Sequence, residues 1–135
     1  MEKYNQIAYI TINHPPANTF NLVTKEQFAS TLDEVERDHS VRVIVLTGAG
    51  KKFFSAGFDV TDAANTDKIS PMARALWTRI DRFTKPVVAA ISGHVMGGGL
   101  ELALCCHFKI MVDDPSFKLG LTEQNLGIIP GWGGT

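Results

Sequence analysis

From Ile7 to Asn13 apolar and polar side chains alternate, with Ile10 and Ile12 on one side and Tyr9 and Thr11 on the other. A period of two is that of a half-buried strand. A stretch with two prolines follows, His14-Pro-Pro-Ala-Asn-Thr-Phe-Asn, which reads as a stiff loop. The period then lengthens. Phe28, Leu32 and Val35 fall on one stripe of a helix running to about Asp38, and Thr24-Lys-Glu-Gln27 has the form of a capping box at its start. Val41 to Leu46 is an almost unbroken β-branched run, the pattern of a strand covered on both faces.

Thr47 to Asp59 reads as a long glycine-bearing loop, and Thr61 to Ser70 as a polar, lid-like segment. Ser70-Pro71 suits a helix start, cap followed by proline, and Met72, Leu76, Ile80 and Phe83 supply its apolar stripe. Pro86 to Ser92 predicts a buried strand and Leu100 to Cys106 a helix, with Gly97, Gly98 and Gly99 at the junction. Phe108 to Val112 and Phe117 to Leu121 predict two further strands, separated by an Asp113-Asp-Pro115 turn. Strands alternating with helices place the chain in the α/β class with largely parallel pairing. The absence of a linker-like tract assigns residues 1–135 to one domain.

The glycine junction is the centre of this pattern. Three glycines cost backbone entropy and are useful where the chain turns sharply or something approaches the backbone closely. The first turn of the helix behind them presents unpaired N–H groups and the positive end of the dipole, which suits an anion or an oxygen that becomes one. Glu101 lies in that same turn. By its position it either complements the dipole or acts as a catalytic carboxylate.

Composition narrows the field. The formal charge of −1 gives no basic face for nucleic acid and no polybasic membrane anchor. The apolar runs fall short of a membrane span, and Met1-Glu-Lys-Tyr-Asn is no signal peptide, so the expected location is cytoplasmic. Cys105 and Cys106 are neighbours on a helix, point about 100° apart and read as small core residues rather than a disulfide.

Gly48-Ala-Gly-Lys-Lys-Phe fails as a phosphate loop, because Val45 and Lys52 stand where a glycine and a Ser or Thr are needed. Phe53 likewise breaks the dinucleotide fingerprint. Lys51 and Lys52 remain free to meet a phosphate on a ligand or to be solvated. His14, His39, His94 and His107 lack metal-ligand spacing, so no metal is expected, and His94, beside the glycines, reads either as a structural turn residue or as a group that touches a ligand. What remains is Phe53 to Asp59 after one strand, Gly97 to Glu101 after another, and Thr122-Glu123 before a further glycine-rich turn. Sites of parallel α/β sheets gather at such strand ends. Glu101 and Glu123 are then either a catalytic pair or a dipole-matching residue and an exposed one.

Three segments resemble the signatures of the crotonase, or enoyl-CoA hydratase/isomerase, superfamily. They are Phe54-Ser-Ala-Gly-Phe-Asp59, Gly93-His-Val-Met-Gly-Gly-Gly-Leu-Glu-Leu-Ala-Leu, and Leu119-Gly-Leu-Thr-Glu-Gln-Asn-Leu-Gly-Ile-Ile-Pro-Gly-Trp-Gly-Gly-Thr135. They stand in the family's order and span most of the chain. The resemblance implies a crotonase-like spiral of ββα units and a site that stabilises the enolate of an acyl-CoA thioester. It implies that the backbone N–H groups of Phe58 and Gly98 form an oxyanion hole, that Glu123 gives a proton to the substrate and that Glu101 orients and deprotonates water. Ala17, Ala56, Phe58, Asp59 and Gly98 match positions lining the substrate and CoA channel.

The implied reaction is hydration of trans-2-enoyl-CoA, with isomerisation, decarboxylation or thioester hydrolysis on the same oxyanion hole as alternatives. Coenzyme A enters as part of the substrate, with no permanently bound cofactor, and the implied assembly is a homo-trimer or a dimer of trimers. Phe58 departs from the small residue usual at its position, which bears on the shape of the acyl pocket. Members continue past Gly-Gly-Thr, so this chain corresponds to the N-terminal half of the family's length. A chain of these residues alone is expected to be weakly active or an inactive fragment, with Trp132, Ile128 and Ile129 losing their cover.

Overall fold

A computed structural model describes residues 1–135. The strands β1 (Glu2–Tyr4), β2 (Ile7–Ile12), β4 (Val43–Gly48), β7 (Val87–Ile91) and β9 (Phe108–Met111) form one sheet in the order β1-β2-β4-β7-β9. All its pairs are parallel except β1 with β2, a hairpin turned by Asn5 and Gln6, both at positive φ. Short strands make two smaller sheets: β5 (Phe53–Ser55), β8 (His94–Met96) and β10 (Leu119–Gly120) in one, β3 (Thr19–Phe20) and β6 (Gly57–Phe58) in the other. The helices are α1 (Leu22–Arg37), α2 (Thr66–Asp81) and α3 (Gly98–Cys105). Each of three circuits of the chain thus adds a strand to the large sheet, one or two short strands to the small ones, then a helix, and β9 and β10 begin a fourth. This is the crotonase-type spiral of ββα units.

The core lies between these layers. Ala8, Ile10 and Ile12 of β2, Ile44 and Leu46 of β4, and Val87, Ala89 and Ile91 of β7 meet Phe28, Leu32 and Val35 of α1 and Leu76, Trp77 and Ile80 of α2. The β2 face and the α1 stripe are the ones the periodicity predicts. β4 differs from expectation: Ile44 and Leu46 are buried, but Val43, Val45 and Thr47 are only half-buried. Helices cover one face of the large sheet, so β-branched content, which favours any strand, overstates its burial.

Four further differences follow. The cap of α1 is Asn21, three residues before the expected Thr24. Its Oδ1 accepts the Thr24 N–H at 2.8 Å while Thr24 Oγ1 accepts the Asn21 N–H at 2.8 Å, so Thr24 is the reciprocal partner of the box. α2 begins at Thr66 and carries Pro71 inside it, because fully buried Ile69 anchors the turn before Ser70. The segment Thr61–Ser70 is accordingly a 3-10 helix (Val60–Asn65) leading into α2 rather than a lid, and Asp62 ties it to α1 by accepting the Leu22 N–H at 2.9 Å. Strand β8 intervenes between β7 and α3, so only Gly97 is a turn residue, while Gly98 and Gly99 are the first residues of the helix. Finally, Trp132 is buried, 6% exposed, although Ile128 and Ile129 are exposed as expected. Cys106 is buried, which pushes its thiol up to about 12, and both cysteines are free.

Asn18 locks the loop after β2 to the loop after β4. It is 3% exposed and sits at φ +52°, and its Nδ2 donates to the carbonyls of Ala49 (3.0 Å) and Phe53 (2.8 Å). Asn18→Ala leaves both carbonyls without this donor and puts alanine in a left-handed conformation. A loss of at least about 3 kcal/mol in urea unfolding is expected, from about 1–3 kcal/mol per orphaned group and about 1–2 kcal/mol for the left-handed alanine.

Candidate active site

The site forms where the loop from β5 to β6 meets the start of α3. Gly57, at φ +80°, lies so close to the Gly98 amide that a Cβ there would collide with the Gly98 nitrogen. Only glycine permits this contact, and it brings the Phe58 backbone beside Gly98. As the first residue of α3, Gly98 has an N–H with no acceptor inside the helix. Behind it, Trp77 on α2 donates its indole N–H to the Gly98 carbonyl at 3.2 Å, and the Trp132 ring fills the space a Gly98 Cβ would need.

Glu101 and Glu123 reach the same place by different routes. Glu101, one turn into α3, is 2% exposed, and its Oε1 accepts the backbone N–H groups of Trp132 and Gly134, each at 2.8 Å. Glu123 opens the short 3-10 helix Glu123–Leu126. Its Oε1 lies beside Gly97, where an added Cβ would sit 3.1 Å away, and its buried Oε2 has no hydrogen-bond partner. Glu101, Glu123, Phe58 and Gly98 line one cavity of about 260 Å³, closed by Ile128, Ile129 and Trp132. A second cavity of about 370 Å³ shares Phe58, Gly98 and Glu123 and adds Ala56, Met96 and Leu126. The two therefore adjoin at Phe58, whose ring meets Trp132 edge-on at 6.1 Å.

The other expected binding positions lie just outside. Ala17 is behind Ala56, accepting the Ala56 N–H at 2.9 Å. Asp59 lines neither cavity. Its Oδ1 caps the 3-10 helix, accepting from the Thr61 hydroxyl (2.7 Å) and N–H (3.0 Å), bonds that hold its carboxyl below the usual range. His94 is the first residue of β8 rather than a turn residue, and it accepts the Lys118 N–H at 3.1 Å between Phe53 and Phe117, a structural place.

A profile of the enoyl-CoA hydratase/isomerase family matches residues 2–135. The chain belongs to the enoyl-CoA hydratase/isomerase family. It is 45% identical over 135 residues to a probable enoyl-CoA hydratase of Bacillus subtilis, covering 96% of this chain and 51% of that one. The crystal structure of an enoyl-CoA hydratase from Bacillus anthracis superposes with a TM-score of 0.90 at 36% identity, over 99% of this chain and 54% of that one. Human mitochondrial delta3-delta2-enoyl-CoA isomerase matches with a TM-score of 0.84 at 31% identity, over 92% of this chain and 50% of that one. The chain thus spans about half the length of the curated relatives it matches. Proteins named as hydratase and as isomerase share this hydratase/isomerase fold, so the choice between those reactions rests on the site's own groups.

One group in the site's foundation escaped the sequence reading. Lys25 of α1 is fully buried, and its Nζ has no hydrogen-bond partner. It lies 3.5 Å from the centroid of the Trp132 ring, 4.5 Å from that of Trp77 and 4.8 Å from that of Phe20. The signal was present, since Lys25 is three residues before Phe28 and seven before Leu32, on the apolar stripe. Burial lowers its pKa to about 6, and Glu101 opposes that shift.

The stability consequence has a definite sign. Between about pH 6 and the unfolded value of 10.5 the unfolded chain holds a proton that the folded chain has released, so stability rises with pH across that window. Lys25→Met removes this slope and fills a similar volume. It is expected to stabilise the fold at pH 7 by about 1–3 kcal/mol, the cost of a buried polar group left without a hydrogen-bond partner. Thermal unfolding at pH 6, 7 and 9 measures both.

Proposed function

We propose that this chain carries the chemistry of an enoyl-CoA hydratase, adding water to a trans-2-enoyl-CoA to give a 3-hydroxyacyl-CoA. The observation that carries the reading is the convergence of Glu101, Glu123 and Gly98 on one cavity beside the Phe58 backbone. The thioester oxygen is placed between the N–H groups of Phe58 and Gly98. These are fixed before charge develops on it, which is when such donors are most effective. Glu101 takes a proton from water as the water oxygen bonds to Cβ, and Glu123 gives a proton to Cα. The π electrons of the double bond pass through the enolate and return in the new Cα–H bond. Proton exchange between the two carboxyls through solvent or product restores the starting state.

The Trp132 and Gly134 amides on Glu101 suit this role, because they fix one carboxylate oxygen and leave the other to orient water. Coenzyme A is then the carrier portion of the substrate, with Ala17, Ala56 and Asp59 along its path and no resident cofactor. A trimer or dimer of trimers is the assembly proposed for the full-length protein.

Isomerisation is the second reading. Glu101 is committed to two amides while Glu123 Oε2 is unpartnered, and a double-bond shift needs only one mobile carboxyl. The test follows the enoyl-thioester absorbance of crotonyl-CoA and of a 3-enoyl-CoA with the full-length protein. Loss of the crotonyl-CoA band with formation of 3-hydroxybutyryl-CoA is expected. Turnover of the 3-enoyl thioester alone would replace hydration by isomerisation.

A further inference from the structure

We propose that Lys25 is a positioning residue for this site: through the Trp132 indole it sets the placement of the Gly131–Gly134 segment and, with it, of Glu101. The path is short. Lys25 Nζ faces the Trp132 ring at 3.5 Å, and the same residue's backbone N–H, with that of Gly134, holds Glu101 Oε1 at 2.8 Å. On its other sides the Trp132 ring abuts Gly98, the edge of Trp77 (centroids 5.7 Å apart) and the edge of Phe58 (6.1 Å). A shift of the indole therefore displaces the amides on Glu101 and the packing behind the Gly98 N–H together.

The amine is unlike an ordinary core residue. It is sealed from solvent, unpaired by any hydrogen bond and surrounded by the faces of Phe20, Trp77 and Trp132. An ammonium group is attracted to those faces, most strongly to tryptophan, and a neutral amine is not. Of the charged groups around it, Glu101 favours its ammonium form, and Glu123 lines the same cavity as Glu101 and Trp132. With its pKa lowered to about 6, Lys25 changes charge within the pH range in which enzymes are assayed. Protonation draws the ammonium toward the indole and adds a positive field beside Glu101. Deprotonation removes both effects. The glutamate that handles water thus sits in front of a titrating group that never touches substrate.

The proposal rests on Glu101 belonging to the reacting pair, so the experiment has two arms that separate the claims. In the first, tryptophan emission of the full-length protein is titrated from pH 5 to 8, for the wild type and for Lys25→Met and Lys25→Leu. A transition near pH 6 is expected in the wild type and absent from both variants. A transition retained in the variants belongs to a histidine and overturns the proposal. So does failure of both neutral variants to fold, which would make Lys25 a residue of the fold alone. In the second arm kcat for crotonyl-CoA is measured across the same range. Loss of the ionisation near pH 6 from the variants' kcat profile, with a several-fold change in kcat and KM within twofold, is the expected result. An unchanged profile overturns the proposal. If the wild type turns over no crotonyl-CoA, the hydratase reading falls, and the emission arm still decides Lys25.

Discussion

Glu123→Gln is expected to slow hydration of crotonyl-CoA by about 10²–10⁴-fold, the span of a general acid's contribution, without loss of the fold. The reasoning rests on what the side chain touches. Its Oε2 has no hydrogen-bond partner, and the residue is only half-buried at the start of a one-turn helix. An amide of the same shape therefore breaks no contact that the carboxyl makes. What it loses is the proton to be delivered to Cα. Thermal unfolding unchanged to within about 0.5 kcal/mol, as for most replacements that break no buried contact, together with a collapsed kcat, identifies the group as chemical. A rate within tenfold of wild type removes Glu123 from that role.

Gly98→Ala is expected to combine a fall in kcat/KM of about 10²–10³-fold, the effect of removing one oxyanion donor, with a loss of about 1–3 kcal/mol from overpacking. A Cβ at this position would collide with the Trp132 ring. That ring is flanked by Trp77, Phe58 and the Lys25 amine. Either the start of α3 retreats, taking the Gly98 N–H from its place beside Phe58, or Trp132 retreats, taking its amide from Glu101. Steady-state kinetics with crotonyl-CoA and a denaturation curve measure the two components. Wild-type kinetics in a stable Gly98→Ala protein would show that this amide is not a donor to the thioester oxygen.

Long periodic elements were legible in the sequence. Ile10 and Ile12 marked the buried face of β2, and Phe28, Leu32 and Val35 marked that of α1, because each stripe extends over several repeats. Strands β3, β5, β6, β8 and β10 are two or three residues long, too short to show a period, and their places are set by pairing across the spiral. The start of α2 was missed because one buried residue, Ile69, outweighs the polar residues around it. Trp132 was expected to be bare, since nothing local covers it. Its cover comes from Trp77 and Lys25, far away in sequence.

The candidate site divides in the same way. Its glycines and glutamates stood out as motif positions, but their meeting at one cavity depends on Gly57 packing against Gly98 and on the amides of Trp132 and Gly134. No spacing rule announces either contact. Lys25 was hidden by its residue type, which is almost never placed in a core.

Gly98, Trp132 and Lys25 form a stack in which each fills the space its neighbour leaves. Their substitutions will not be additive, as is usual for residues in direct contact. Gly98→Ala should cost less when Trp132 is first made smaller, and the benefit of Lys25→Met should shrink once the indole is gone. For evolution or engineering of this site, the three positions behave as one inherited block: a change at any of them alters which changes at the other two are tolerated.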